Sequence, residues 1–251
     1  QTLLQEEQAF IFNISQKMLL NPEDAKDATQ EILIKIITHL KGFKGKSSFR
    51  TWIYRITVNH LLNIKKKATE QMMEQISQYP PARLEQKLMA EAGEEYPQEL
   101  IEEVRLLCST AMLMCLDRRQ RLLYILGEVF EIDHRLGAEI FETSPGNYRV
   151  LLSRARQQLQ NHMMGKCGIV NPENPCRCPK KTQEFVKKGI VQADQLRFNT
   201  HFEKKIKDLI QSEEYLEMAR DIRYRHKEMF QSHPFQTYQE VDNLLKNLIS
   251  E

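Results

Sequence analysis

Apolar residues recur along this chain with a helical period, and turn-forming residues divide the pattern into separate helices. Phe10, Ile11, Ile14, Met18 and Leu19 mark one apolar face over residues 5–19. Asn21-Pro22 interrupts it, and Pro22 suits the first turn of a second helix. Its acidic start, Glu23, Asp24 and Asp27, complements the helix dipole. Ala28, Ile32, Leu33, Ile36, Ile37 and Leu40 form its apolar face, and Gly42 is expected to stop it. Ser47 and Ser48 are placed to cap a third helix that opens at Phe49 or Arg50 and reads on to Lys67. Residues 68–98 are rich in Glu and carry Pro80-Pro81, Gly93 and Pro97. They read as a solvated acidic linker with a short helix over 82–92; an acidic strip that competes with DNA for basic surfaces is the alternative.

Helical patterns return from 99 to 164. Leu100 to Met114 runs into Leu116, and Asp117 caps the run RRQRLLYILGEVF. Asp133 caps a short helix over His134–Phe141, and Ser144-Pro145 starts a long one to Met163. A short helix, a tight turn and a longer helix make a helix-turn-helix, with a plain bundle hairpin as the alternative. Beyond an irregular segment at 165–180, helical period resumes at Phe185/Val186/Ile190 and continues to Leu248. The expected fold is all-α: small helical domains at 1–67 and 99–164, the linker at 68–98, and a Cys-containing connector with a helical C-terminal extension at 165–251.

Composition supports that class. Gly and Pro number nine each, and alternating Val/Ile/Thr runs are missing, which argues against a mostly β fold. No run of eighteen apolar residues exists, so membrane insertion is not expected. The opening QTLLQEEQAF shows no signal-peptide pattern, and its lack of an initiating Met suggests residues upstream. Five cysteines, an odd number, disfavour a secreted disulfide framework, and the expected compartment is the cytoplasm.

A net charge of +2 says little about partners, but the distribution of charge says much. No Asp or Glu occurs from Ile32 to Thr69, nor between Ser144 and Pro172. Within the first stretch Lys41, Lys44, Lys46, Arg50 and Arg55 interleave with Phe43, Phe49, Tyr54 and the single tryptophan, Trp52. Cations track a phosphate backbone, and aromatic faces offer platforms for unstacked bases. The alternative is a buried aromatic face flanked by solvated cations. Arg149, Arg154 and Arg156 lie on the helix from Pro145, whose first turn holds Ser144, Gly146, Asn147 and Tyr148 as candidates to reach base edges.

These motifs together resemble a known family. Asp24-Ala25-Lys26-Asp27, Gln30-Glu31 and FKGKSSFRTWIYRITVN resemble region 2 of the sigma-70 superfamily of bacterial transcription initiation factors. Leu116-Asp117-Arg118-Arg119-Gln120 and Leu152-Ser153-Arg154-Ala155-Arg156 resemble its region 4. Direct passage from one to the other resembles the extracytoplasmic-function (ECF) group. The resemblance covers residues 5–164 and implies a factor that binds core RNA polymerase, recognises promoter DNA and helps melt the −10 element. It implies that Asp24, Asp27, Gln30, Glu31 and Leu33 dock on the polymerase. It implies −10 contacts from Phe43, Lys46, Ser47, Ser48, Phe49, Arg50, Trp52, Tyr54, Arg55 and Asn59, with Lys65, Lys66 and Lys67 on phosphates. The −35 element would be met by Ser144, Pro145, Gly146, Asn147, Tyr148, Arg149, Ser153, Arg154 and Arg156.

Four positions depart from the family pattern. Lys26 replaces the usual acid, Glu142 stands where Gly is usual in the helix-turn-helix turn, and Asn147 and Tyr148 replace Thr and a small aliphatic residue. Residues 165–251 resemble the C-terminal extensions that regulate some members; such an extension, or an anti-sigma factor, is the candidate regulator.

Cys167, Cys176 and Cys178 form C-x8-C-x-C, which makes a structural zinc site with His162 or His201 a candidate. Reduced thiols in a turned connector are the alternative, and no cofactor is required by the main reading. Cys108 and Cys115 are expected in the core. No Walker loop, dinucleotide fingerprint, H-E-x-x-H or Ser/His/Asp set is present, so no enzyme is expected. The other readings are a helix-turn-helix regulator acting without polymerase, and a metal- or redox-sensing regulatory protein.

Overall fold

The computed structural model describes residues 2–19, 21–78 and 96–192. The expected helix at 82–92, the later extension helices and His201 lie outside the described residues. Those described form an all-α fold without a β-strand. The helices are α1 (Thr2–Met18), α2 (Pro22–His39), α3 (Phe49–Asn63), α4 (Ala68–Gln78), α5 (Gln98–Met112), α6 (Arg118–Tyr124, continued by a π turn, Ile125–Val129), α7 (His134–Ile140), α8 (Pro145–Met164) and α9 (Cys178–Lys187).

Local chemistry sets most boundaries. Asn21 caps α2 by accepting from the Glu23 amide at 3.0 Å. Ser48 caps α3, its hydroxyl accepting from the Thr51 amide at 3.0 Å. Asp117 and Gln120 form a reciprocal capping box at the start of α6. Asp133 caps α7, accepting from the Arg135 amide at 2.8 Å.

The chain forms two compact units. One joins the residues up to 71 with residues 116–156; the other joins the described residues of 72–115 with those from 157 onward. In the first, α1 packs on α2 and α3, and α3 packs on α6 and α7. Ile11, Phe12, Ile14, Met18, Ile32, Ile36, Ile53 and Leu61 are buried, each aliphatic side chain contributing about 1.5–3 kcal/mol by leaving water. In the second, α5 packs on α9 around Leu100, Val104 and Val191, with Leu107, Cys108, Phe185 and Val186 against them.

Three expectations change. The third helix stops at Asn63, because Ile64 turns extended and Arg118 donates to the Leu61 and Ile64 carbonyls that end it. The apolar face of α2 divides: Ala28, Ile32 and Ile36 are buried, whereas Ile37 is 60% and Leu40 49% exposed. The expected linker also begins as helix, in α4.

The helix-turn-helix turn is a left-handed helix stop. The Thr143 amide donates to the Ala138 carbonyl at 2.9 Å, and Glu142 takes φ +52°. Glu142→Gly removes the Cβ strain of that conformation and is expected to stabilise the unit by about 0.5–1 kcal/mol, read as a higher urea midpoint. Two histidines contribute to the pH dependence below neutrality. Burial, then the Lys35 ammonium, lowers the His60 pKa against the opposing pull of Glu31. Burial, then Lys166, takes His162 down to about 4. The unfolded chain therefore takes up protons first as pH falls. The histidine contribution is full above about pH 6.5, the unfolded histidine value, and is lost below it. Urea midpoints at pH 7.5 and 5 are expected to converge partly in His162→Gln.

Candidate nucleic-acid interface

The loop before α3 presents Lys41, Lys44 and Lys46 to solvent, and Gly45 takes φ +67° to make its turn. Behind it, Phe43, Phe49 and Trp52 close into a half-buried trio with ring centroids 5.3–5.7 Å apart. Phe49 and Trp52 are one helical turn apart and stack at 24°. A cationic loop above an aromatic platform can hold a phosphate and a flipped base together. Ser47 is half-buried, and Ser48 and Asn59 are exposed.

Several expected contact residues have structural partners. Arg50 pairs with the buried Glu7 carboxylate at 2.5 Å. Arg55 donates to the Glu139 carbonyl of α7 at 2.9 Å. Lys67 binds Asp24 at 2.6 Å, so an expected phosphate contact and an expected polymerase contact meet each other. Lys65 is exposed and Lys66 half-buried. Tyr54 is 7% exposed and stacks on Phe10 with centroids 4.0 Å apart, so its ring belongs to the core and offers no platform. Burial, with Glu7 beside it, raises its phenol pKa.

In α8, Ser144 caps the N-terminus by accepting from the Asn147 amide at 3.2 Å, and the Asn147 side chain donates to Thr143 at 2.7 Å. Pro145, Gly146, Asn147, Arg149, Ser153 and Arg154 lie exposed on one acid-free surface. Arg156 is held by Glu128, which leaves Arg149 and Arg154 as that surface's exposed cations. Tyr148 points the other way. It is fully buried, its ring tilts on Phe141, and a Cβ at Gly137 would sit 2.4 Å from it. Only glycine fits there. Tyr148 therefore holds the helix-turn-helix together and does not reach a base edge.

On α2, Asp27 and Glu31 are exposed, while Asp24, Gln30 and Leu33 are half-buried. Sequence reasoning missed Ile34, 59% exposed, which with Ile37 and Leu40 makes an outward apolar stripe beside these polar residues. It also missed Val150, 47% exposed on the α8 surface. The available signal was an excess of aliphatics over what one core-facing stripe of α2 can use.

Cys167, Cys176 and Cys178 lie in a segment pinned by Arg177, which donates to the Pro172, Asn174 and Cys176 carbonyls. Burial raises the Cys178 thiol to about 12 and raises Cys108 as well, and Cys108 lies within electrostatic reach of all three. Cys108 and Cys115 are half-buried. Among the described residues no group of three or more His, Cys, Asp or Glu is gathered to hold a metal ion. None of their helices is long and apolar enough to cross a membrane.

A basic aromatic loop and a capped helix-turn-helix are the two candidate nucleic-acid surfaces of the chain. Comparison with known proteins finds similarity to one family. Residues 3–70 match the sigma-70 region 2 model. The chain is 28% identical over 141 residues to the RNA polymerase sigma factor YlaC of Bacillus subtilis, covering 56% of this chain and 78% of that protein. It is 25% identical over 174 residues to a probable RNA polymerase sigma factor of Haemophilus influenzae, covering 65% and 89%. It is 30% identical over 153 residues to the ECF RNA polymerase sigma factor SigG of Mycobacterium tuberculosis, covering 55% and 41%. Over these lengths the chain is similar to sigma factors of the sigma-70 superfamily, its ECF group among them, and residues 3–70 carry the region 2 pattern.

The buried Tyr148 hydroxyl has no hydrogen-bond partner among the described residues. Tyr148→Phe removes an unpaired buried polar group and is expected to raise stability by roughly 1 kcal/mol while leaving −35 DNA affinity unchanged. Thermal unfolding and fluorescence anisotropy on promoter duplex check the two halves.

Proposed function

We propose that this chain is the promoter-recognition subunit of a bacterial RNA polymerase, acting in the cytoplasm and carrying out no bond chemistry of its own. It binds core polymerase, places α8 in the major groove of a −35 element and melts a −10 element against the loop and N-terminal half of α3. The observation that carries this reading is the Phe43/Phe49/Trp52 trio under the Lys41, Lys44 and Lys46 loop. A regulator that only grips duplex DNA has no use for a stacking platform beside a cationic loop, whereas a melting factor needs both. Ser47, Ser48 and Asn59 supply polar contacts to the displaced strand, and Lys65 and Lys66 supply phosphate contacts.

Polymerase docking falls to α2. Asp27, Gln30 and Glu31 supply polar contacts, and Ile34, Ile37 and Leu40 the apolar seam beside them. Covering three such half-exposed aliphatics contributes on the order of 1 kcal/mol each. On α8, Arg149 and Arg154 bear on phosphates, while Ser144, Asn147 and Ser153 face base edges and Val150 offers a methyl surface to thymine.

Transcription from genomic fragments by bacterial core polymerase, with and without the chain, tests the reading. Discrete new start sites are expected. Trp52→Ala should lower their yield about tenfold, as lost base stacking is worth about 1–3 kcal/mol. Ile37→Asp should reduce co-purification with the core enzyme. Binding to duplex DNA with no association with polymerase would instead favour a helix-turn-helix regulator.

A further inference from the structure

The segment that joins α8 to α9 in the second unit is irregular, yet its path is closely determined. Asn171 and Asn174 donate to the Met164 carbonyl at 3.1 and 2.8 Å, and Asn174 also to the Cys167 carbonyl at 3.2 Å. Arg177 ties the Pro172, Asn174 and Cys176 carbonyls together. Gly168 lies so close to Cys176 that a Cβ on it would stand 1.9 Å from the Cys176 carbonyl oxygen. Cys167 and Cys176 are therefore brought side by side although eight residues separate them in the chain.

Cys178 opens α9, which packs on α5. Cys108 of α5 lies in the same apolar group as Phe185 and Val186 of α9. It is within electrostatic reach of Cys167, Cys176 and Cys178, and Cys178 is within reach of the other two. Four of the five cysteines thus come to one place from three separate pieces of chain, all as thiols. Two cations face the same group, Lys181 toward Cys108 and Arg105 toward Cys178. Glu102 faces Cys178 too, with its carboxylate paired to Arg105 at 2.6 Å. His162, by contrast, is set by its burial and by Lys166.

We propose that Cys108, Cys167, Cys176 and Cys178 form a structural zinc site, with Cys108 rather than His162 as the fourth ligand. Four sulfur donors leave no open position on a tetrahedral ion, which suits a structural role and a soft-ligand metal. On binding, each thiol gives up its proton to the buffer and the ion takes four thiolates; no electron moves, so no oxidant is needed. The product carries two net negative charges, which Arg105 and Lys181 offset. Among the described residues these side chains do not converge as a metal-holding group. Zinc completes that convergence, since metal sites seldom form fully before their ion. The site clasps the end of α8 to α5 and α9, because the Cys167 amide already donates to the Met163 carbonyl at 2.8 Å. It thereby reinforces the small apolar group of Leu100, Val104 and Val191. None of this depends on the sigma-factor reading.

The test uses the full chain, purified under reducing conditions, stripped with a chelator and titrated with zinc chloride or cobalt chloride. One zinc per chain is expected, and the cobalt form should show tetrahedral ligand-field bands with strong sulfur-to-cobalt charge transfer. Cys108→Ser and Cys176→Ser should each weaken zinc binding by at least about tenfold, since even a partner that only orients a ligand is worth about that. Cys115→Ser and His162→Gln should leave zinc affinity unchanged. Should Cys108→Ser not fold, the wild-type charge-transfer band, whose intensity scales with the number of thiolates, still separates four sulfur ligands from three. Failure to bind zinc, a band of three-thiolate intensity, or zinc affinity that falls in His162→Gln but not in Cys108→Ser overturns the site.

Discussion

Burying charge is the constraint on which the first unit depends. Arg121, Arg118 and Glu70 are each less than a tenth exposed, and none can remain there alone. Removing one member of such a group costs about 3–5 kcal/mol, because it strands the others away from water. The cluster therefore fixes the end of α3, the start of α4 and the position of α6 in one step. Arg118 supplies the donors that the last carbonyls of α3 need, and Arg121 does the same for Met18 at the end of α1. Two helix C-termini are thus satisfied by side chains from a segment some fifty to a hundred residues away.

That dependence explains what could be read from the sequence. Helix starts were legible because their determinants are local: Asn21, Ser48, Asp117, Asp133 and Ser144 act on amides two or three residues on. The end of α3 was not, since a lysine run favours helix C-termini and nothing nearby announces that Arg118 will take the final carbonyls. The split of α2 into a buried and an outward apolar stripe was hidden for a related reason. Periodicity shows that aliphatics share a side of a helix, but not whether one neighbour covers all of that side.

The candidate site divides in the same way. The family resemblance located the basic loop and the recognition helix, but it could not separate residues that touch a ligand from residues that hold the surface in place. Tyr54 and Tyr148 look like ligand contacts because each sits among cations. Both are core, one against Phe10 and the other over Gly137. Arg50 and Arg156 look like phosphate contacts and are engaged by Glu7 and Glu128. Glu7 comes from α1 and Glu128 from the π turn, both outside the acid-free stretches that drew attention to those arginines.

The cations that remain exposed then define how the surfaces work. Lys41, Lys44 and Lys46 stand on a loop whose glycine turn gives it little buried support, while Arg149 and Arg154 stand on a helix fixed by Tyr148 and its Ser144 cap. The α8 surface is thus preorganised and would give up little conformational entropy on binding a ligand. The loop surface pairs exposed lysines with an aromatic trio, an arrangement suited to a strand that must first leave its duplex. Stacking gains nothing from paired bases and contributes only once they flip, so under the proposed function the platform would act late and select for opened DNA.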